Sequence, residues 1–114
     1  MTDSGFAAQL AEDLDPDDLR MVLGVFRQDV LRLTGVLDAN AAAADVAGFR
    51  RTCHALAGAA GAVGASALEQ ACRQAMTNAA LAPAHLPVTG TAIRTLGLAA
   101  LGEMTAFLAS LPQG

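Results

Sequence analysis

The spacing of apolar residues between Leu19 and Leu37 constrains the fold more than any other feature of the sequence. The steps alternate between four and three residues, at Leu19, Leu23, Phe26, Val30, Leu33 and Leu37. Because an α-helix turns once in about 3.6 residues, this spacing predicts one apolar face on a long helix, from about Pro16 to Ala39. That face must be buried against other elements.

The residues before this helix predict how it begins. Asp15 can accept hydrogen bonds from the free backbone N–H groups of the first turn, and Pro16 suits the first helical position. Upstream, Phe6 and Leu10 are the apolar anchors of a shorter helix, predicted at about Ser4 to Asp13.

Apolar residues repeat at helical spacing in three further stretches. These predict helices at about Asp45 to Val63, Ala67 to Asn78 and Thr91 to Ser110. Ser66 and Glu69 have the spacing of a capping box at the start of the second of these helices. The segment from Ala82 to Gly90 contains Pro83 and Pro87 and is predicted to be a loop.

Four amphipathic helices with short connections favour an all-α fold, because each apolar face needs a cover. The chain has 114 residues, 54% of them hydrophobic, with no Trp or Tyr. Ala, the strongest helix former, makes up much of this hydrophobic fraction. We therefore expect one domain over residues 1–114, an antiparallel up-down four-helix bundle at about 16–111 preceded by the short helix at about 4–13.

Charge and cysteine usage limit the partners and the compartment. The formal net charge of -4 leaves no basic surface for DNA or RNA, so no nucleic-acid partner is expected. Cys53 and Cys72 lie in apolar helical stretches, where core packing is the expected role, and a reducing cytoplasm fits them best. The apolar stretch from Ile93 to Leu111 contains Arg94 and Glu103, so we expect a bundle helix and no membrane contact.

His54 is the one position whose direction indicates chemistry. If Phe49, Cys53 and Leu56 define the buried side of their helix, His54 lies about 140° away from it and faces outward. Gly58 lies one turn further along the predicted helix, in a chain that has Ala at many other helical positions. A helical Gly costs about 1 kcal/mol relative to Ala, so open space beside the imidazole would explain it.

Such a histidine can be reached by a bulky electrophile on another protein. A neutral imidazole is a nucleophile at physiological pH and can attack an acyl phosphate. Arg50 and Arg51, one turn before His54, are close enough to interact with phosphate oxygens. Gly61, in the second turn after it, adds further room, although both glycines could instead serve close helix packing. The pattern favours phosphoryl carriage.

The residues around His54 resemble the signature of histidine phosphotransfer domains, in which His-x-Leu-Lys-Gly leads to Gly-Ala, a Leu and often a Cys. The matching segments are His54-Ala55-Leu56-Ala57-Gly58, then Val63-Gly64-Ala65, Leu68 and Cys72. Upstream, Phe26 and Asp29 also look like that family. The resemblance covers roughly Leu19 to Met76.

The resemblance implies a phosphorelay intermediate with His54 as phosphoacceptor. Such a bacterial-type protein accepts phosphate from the receiver domain of a hybrid sensor histidine kinase and passes it to a response regulator. It is a phosphocarrier without a kinase activity or ATP site. It needs no cofactor or metal of its own, because the receiver supplies the Mg²⁺.

The chain departs from the family at Ala57, where the usual residue is Lys. We expect Arg50 or Arg51 to substitute for it, and Ala57, Gly58 and Gly61 to contact the phosphate or the partner. Ala47 and Ala65 would extend these residues into a flat docking surface, used transiently by what we expect to be a monomer.

Other interpretations remain open beside this one. The chain could be a docking module for a receiver or kinase that works without phosphorylation, or a helical cofactor carrier with His54 as an axial ligand. His85, in the predicted loop, is expected to be a solvated residue, and the methionines are expected to fill the core. The acidic residues at Asp13, Asp15, Asp17 and Asp18 are interpreted as a helix start and not as a cation site.

Overall fold

The computed structural model describes residues 5–111, and these residues form helices and turns without a strand. The elements are α1 (Phe6–Ala11), α2 (Pro16–Ala42), α3 (Val46–Val63), α4 (Ser66–Thr77), a 3₁₀ turn (Pro83–His85) and α5 (Leu86–Ser110). The predicted all-α fold is confirmed. The predicted start of the first helix at Ser4 lies outside the described residues.

The four long helices pack in a ring. Helix α2 contacts α3 and α5, and α4 also contacts α3 and α5, so each helix has two neighbours. Short connections make successive helices antiparallel. Helix α1 lies across one end, where the Phe6 ring meets Phe26 of α2 edge-on at a centroid distance of 5.7 Å.

Polar groups at the helix ends explain where the helices start and stop. The Asp15 carboxylate accepts a hydrogen bond from the Asp18 N–H at 2.9 Å, and Asp45 caps α3 in the same way through Gly48 N–H at 2.9 Å. Helix α3 ends at Gly64, whose φ of 83° lies in the left-handed region that glycine tolerates best. The predicted cap at Asp15 is confirmed.

The predicted capping box at the start of α4 is wrong. The residue before the helix is Ala65, and its side chain can make no cap. The Ser66 hydroxyl donates to the Gly64 carbonyl at 3.4 Å, while the Glu69 carboxylate binds Arg73. The turn that ends α3 leads directly into α4, which shifts the helix start by one residue and places Ser66 inside it.

The predicted loop over residues 82–90 is shorter in the structure. Helix α5 begins at Leu86, which is completely buried, and it includes Pro87 in its first turn. A proline is compatible with that position, because the first-turn N–H groups have no partner within the helix. Helix α2 likewise continues to Ala42, three residues beyond its predicted end.

The predicted apolar faces form the core. All six stripe residues of α2, from Leu19 to Leu37, are at most 6% exposed, and Phe49, Leu56 and Cys53 on α3 are fully buried. The prediction that the methionines fill the core holds for Met104, at 3% exposed, but is wrong for Met21, at 66%. Met21 lies on the side of α2 away from the stripe.

The last helical stretch is the most apolar part of the chain. Residues Pro83–Ser110 are long and apolar enough to cross a bilayer by length and composition alone, a test that the core helix of a soluble bundle also passes. Here Ile93 and Met104 are buried in the bundle. Arg94 forms an ion pair with Asp38 and donates to the Thr34 carbonyl at 3.3 Å, which fixes α5 to α2.

Candidate functional site

His54 lies in the middle of the exposed face of α3. We call this surface the His54 face, formed by the exposed residues Ala47, Arg51, His54, Ala55, Gly58, Gly61 and Ala62. The opposite side of α3 is fixed in the core by Cys53 and Leu56. The predicted outward direction of His54 is therefore observed, on a helix whose other side is immobilised by packing.

The two glycines of the His54 face have different surroundings. Among residues 5–111, a Cβ atom at Gly58 would meet no atom within 4 Å apart from the backbone of its own helix, so this position, one turn beyond His54, is open. A Cβ atom at Gly61 would lie 3.0 Å from Oε2 of Glu69 on α4. Gly58 therefore leaves room above the helix, whereas Gly61 makes room for a side chain of the same protein.

The two arginines before His54 also differ. Arg50 donates from its terminal nitrogen to the Asn78 carbonyl at 2.7 Å, near the end of α4. Its Nε is buried and has no hydrogen-bond partner among residues 5–111. Arg51 is exposed, and the described part of the chain gives it no ion-pair or hydrogen-bond partner. Arg50 thus contributes to holding α3 against α4, and Arg51 is the freer cation of the two.

The predicted contact role of Ala57 and the predicted surface position of Ala65 are wrong. Ala57 is 0% exposed and Ala65 is 5% exposed, so neither can touch a partner. On an ideal helix Ala57 lies about 60° from His54, on the side that α4 covers. Helices α2 and α4 cover α3 from both sides. The exposed surface of α3 is therefore narrower than the apolar residues of α3 alone predict. Ala47 remains exposed, as predicted.

An ion pair lies on each side of the His54 face. On α4, Arg73 binds Oε2 of Glu69 through Nε at 2.9 Å and through a terminal nitrogen at 2.8 Å. On α2, Arg32 approaches Asp29 at 3.4 Å. The sequence interpretation did not select either pair, although their spacings of four and three residues on helices were a visible signal.

An apolar groove of about 260 Å³ borders the His54 face on the α2 side. Its walls include Val25 on α2 and Ala59 and Ala62 on α3, with Met21 at its edge. Met21 and Val25 are 66% and 54% exposed. Sequence analysis missed this groove because these side chains lie outside the core stripe.

Two buried thiols lie behind the His54 face. Cys53 and Cys72 are both free and fully buried, which confirms the predicted core packing, and their thiols interact across α3 and α4. The interaction with the Cys72 side chain lowers the pKa of the Cys53 thiol. The same contact and burial raise the pKa of Cys72.

The other candidate residues lie away from His54. His85 ends the 3₁₀ turn and is exposed, but its Nδ1 accepts a hydrogen bond from the Ala82 N–H at 3.1 Å, so it has a structural partner as well as solvent. Among residues 5–111 no cluster of three or more His, Cys, Asp or Glu side chains could hold a metal ion.

Comparison with protein families assigns this bundle. A family model described as the Hpt domain matches residues 21–105, which include α3, α4 and most of α2 and α5. The chain belongs to the Hpt domain family. Hpt domains take part in histidine phosphotransfer in phosphorelays, where they act as phosphocarriers without kinase activity and interact with receiver and kinase domains. No curated protein and no solved structure matches the chain.

Proposed function

We propose that this Hpt domain carries a phosphoryl group on His54. It accepts the group from the aspartyl phosphate of a receiver domain in a hybrid sensor histidine kinase and passes it to a response regulator. The observation that carries the proposal is the exposed imidazole of His54 beside the open position at Gly58. Among residues 5–111 no side chain occupies the space beside Gly58, which leaves room there for a partner's active site.

The transfer step follows from the chemistry of imidazole. A ring nitrogen of neutral His54 attacks the phosphorus of the aspartyl phosphate, and a nitrogen–phosphorus bond forms. The bond from phosphorus to the aspartate oxygen breaks, and its electron pair leaves on the carboxylate. The proton on the other ring nitrogen can pass to solvent because the ring is exposed. Delivery to the next receiver is the reverse reaction.

The surface around His54 suits a docking partner. Ala47, Ala55, Gly58 and Ala62 project little beyond the backbone, so the His54 face is nearly flat apart from His54 and Arg51. The groove beside it exposes Met21, an apolar side chain of the kind that protein partners cover. An imidazole surrounded by small residues, with an apolar groove at the edge, supports binding of a receiver domain.

The setting of the proposed reaction is the cytoplasm of a bacterial cell, with the chain acting as a monomer. Two free buried thiols are typical of a reducing compartment. The carrier uses no metal or nucleotide of its own, because the receiver supplies Mg²⁺ together with the phosphoryl group.

The test is phosphorylation by purified phosphorylated receiver domains. The wild-type chain should acquire a phosphate that is labile in acid and stable in base, and His54→Gln should acquire none. Since His54 has no hydrogen-bond partner within residues 5–111, this substitution should leave the thermal unfolding midpoint unchanged.

His85→Gln is the matched control. It removes the other histidine of the chain and should leave phosphate acceptance intact. If the His54→Gln variant acquired phosphate, the phosphoacceptor would be another residue. A wild-type chain that binds receivers without acquiring phosphate would refute phosphoryl carriage and leave a docking module.

A further inference from the structure

We infer that Arg73, held by Glu69 at the edge of the His54 face, is the cation that contacts the phosphoryl group on His54. The inference rests on the function proposed above. Arg73 then supplies the positive charge that Ala57 lacks. It does so from the neighbouring helix α4 instead of from α3.

The packing of α3 against α4 brings Arg73 to this position. Three contacts define the alignment of the two antiparallel helices: Cys53 with Cys72, Gly61 with Glu69, and Arg50 with Asn78. From these contacts we infer that the backbone of Arg73 lies near the level of His54 along the bundle. The oxygen of Glu69 that approaches Gly61 is the same oxygen that both Arg73 nitrogens bind. The Glu69–Arg73 pair therefore lies beside Gly61, on the α4 side of the His54 face.

The competing cations are less well placed. Arg50 is bound to the Asn78 carbonyl, and Arg51 belongs to the turn before His54, where its side chain extends toward the start of α3 and away from the glycines. Arg32 lies on the α2 side. On an ideal helix Gly61, which faces the Arg73 pair, is only about 20° from His54, whereas Ala62, on the groove side, is about 80° away.

Arg73 can exchange the Glu69 carboxylate for another anionic partner. The Arg73 side chain is 51% exposed, so its bond to Glu69 contributes little to stability. A phosphoryl group carries more negative charge than one carboxylate and offers three acceptor oxygens. When His54 is phosphorylated, Arg73 turns from Glu69 to the phosphoryl oxygens and stabilises the charge there.

The test separates contact with phosphate from contact with a partner. Potassium phosphoramidate donates phosphate to histidine without a receiver: its nitrogen–phosphorus bond breaks and ammonia leaves. With this donor, Arg73→Ala should slow phosphorylation of His54 roughly tenfold or more, and Arg73→Lys should recover part of the rate. Arg32→Ala is the matched control, since it opens the equivalent pair on the other flank and should react like wild type.

Two further measurements test the role of the Arg73 guanidinium. Glu69→Gln removes the competing charge, so it should react at least as fast as wild type. In NMR spectra the Arg73 Nε–H resonance should shift when His54 is phosphorylated, while that of Arg32 should stay in place. Thermal melts of each variant report whether the bundle is intact.

Each contrary outcome is distinct. Equal rates for Arg73→Ala and wild type overturn the inference and leave the proposed function standing. A loss seen only with phosphorylated receiver, and not with phosphoramidate, assigns Arg73 to the partner interface and also overturns it. A wild-type chain that takes phosphate from neither donor overturns the proposed function and this inference together.

Discussion

Replacing Gly58 by Ala should make the protein more stable. Within the described residues a methyl group there would meet no atom within 4 Å beyond the backbone of α3 itself, so it neither clashes nor packs. Gly58 lies inside α3, where Ala is better than Gly by about 0.5–1 kcal/mol because the unfolded chain has less freedom to lose. For a domain of this size the gain corresponds to a rise of about 2–5 °C in the unfolding midpoint.

Urea and thermal unfolding followed by circular dichroism measure this gain. Gly102→Ala is the matched control, because Gly102 lies inside α5 and a Cβ there also meets no atom within 4 Å. Both variants should gain the same amount. If Gly58→Ala instead lowers stability, the glycine serves the fold, and the argument from open space is refuted.

A larger side chain at the same place tests access itself. Gly58→Leu puts a branched side chain on the His54 face, one turn from the imidazole, and should reduce transfer from a phosphorylated receiver at least about tenfold. Phosphorylation by phosphoramidate should change much less, because a small donor needs less room. Gly102→Leu, on α5, should transfer like wild type. Wild-type transfer by Gly58→Leu would refute the access role.

Three other predictions follow from the same contacts. Gly61→Ala should gain less stability than Gly58→Ala, because its methyl would lie 3.0 Å from the Glu69 carboxylate, and equal gains in urea unfolding would contradict this reading. Asp15→Ala should cost about 1 kcal/mol in the same measurement by removing the cap of α2, while Asp15→Asn should cost much less. Cys53 and Cys72 should not react with an aromatic disulfide reagent in the folded protein and should both react in denaturant, so rapid labelling of native protein would argue against their complete burial.

The sequence predicts the helices well because the relevant signal is local. The alternation of four and three between Leu19 and Leu37 is a property of one helix, and so is the angle that turns His54 away from Leu56. Neither depends on knowing which helix packs where. The exact helix ends are harder, since the one-residue shift at Ser66 depends on how the preceding turn closes at Gly64.

The parts of the site that sequence analysis missed depend on packing between helices. Ala57 is covered because α2 and α4 both pack against α3. Together these two helices set the width of the buried side of α3. The partner of Arg50 is the carbonyl of Asn78, a residue 28 positions away. The spacing of Glu69 and Arg73 indicates an ion pair, but only the packing of α4 on α3 brings that pair beside Gly61.

A phosphate carrier of this kind needs a histidine that is fixed in place and yet open to a second protein. Helix α3 meets both needs with opposite sides: Cys53 and Leu56 are completely buried, which immobilises the backbone, while Gly58 leaves the space beside the imidazole empty. Because the fixed side is apolar and most residues of the open side are Ala or Gly, the partner can be exchanged without disturbing the core. In the mechanism inferred above, the charge that assists transfer comes from the flank, where a neighbouring helix supplies it without closing the face. The Glu69–Arg73 pair on α4 has that position, whereas Ala57 on α3 is completely buried and carries no charge.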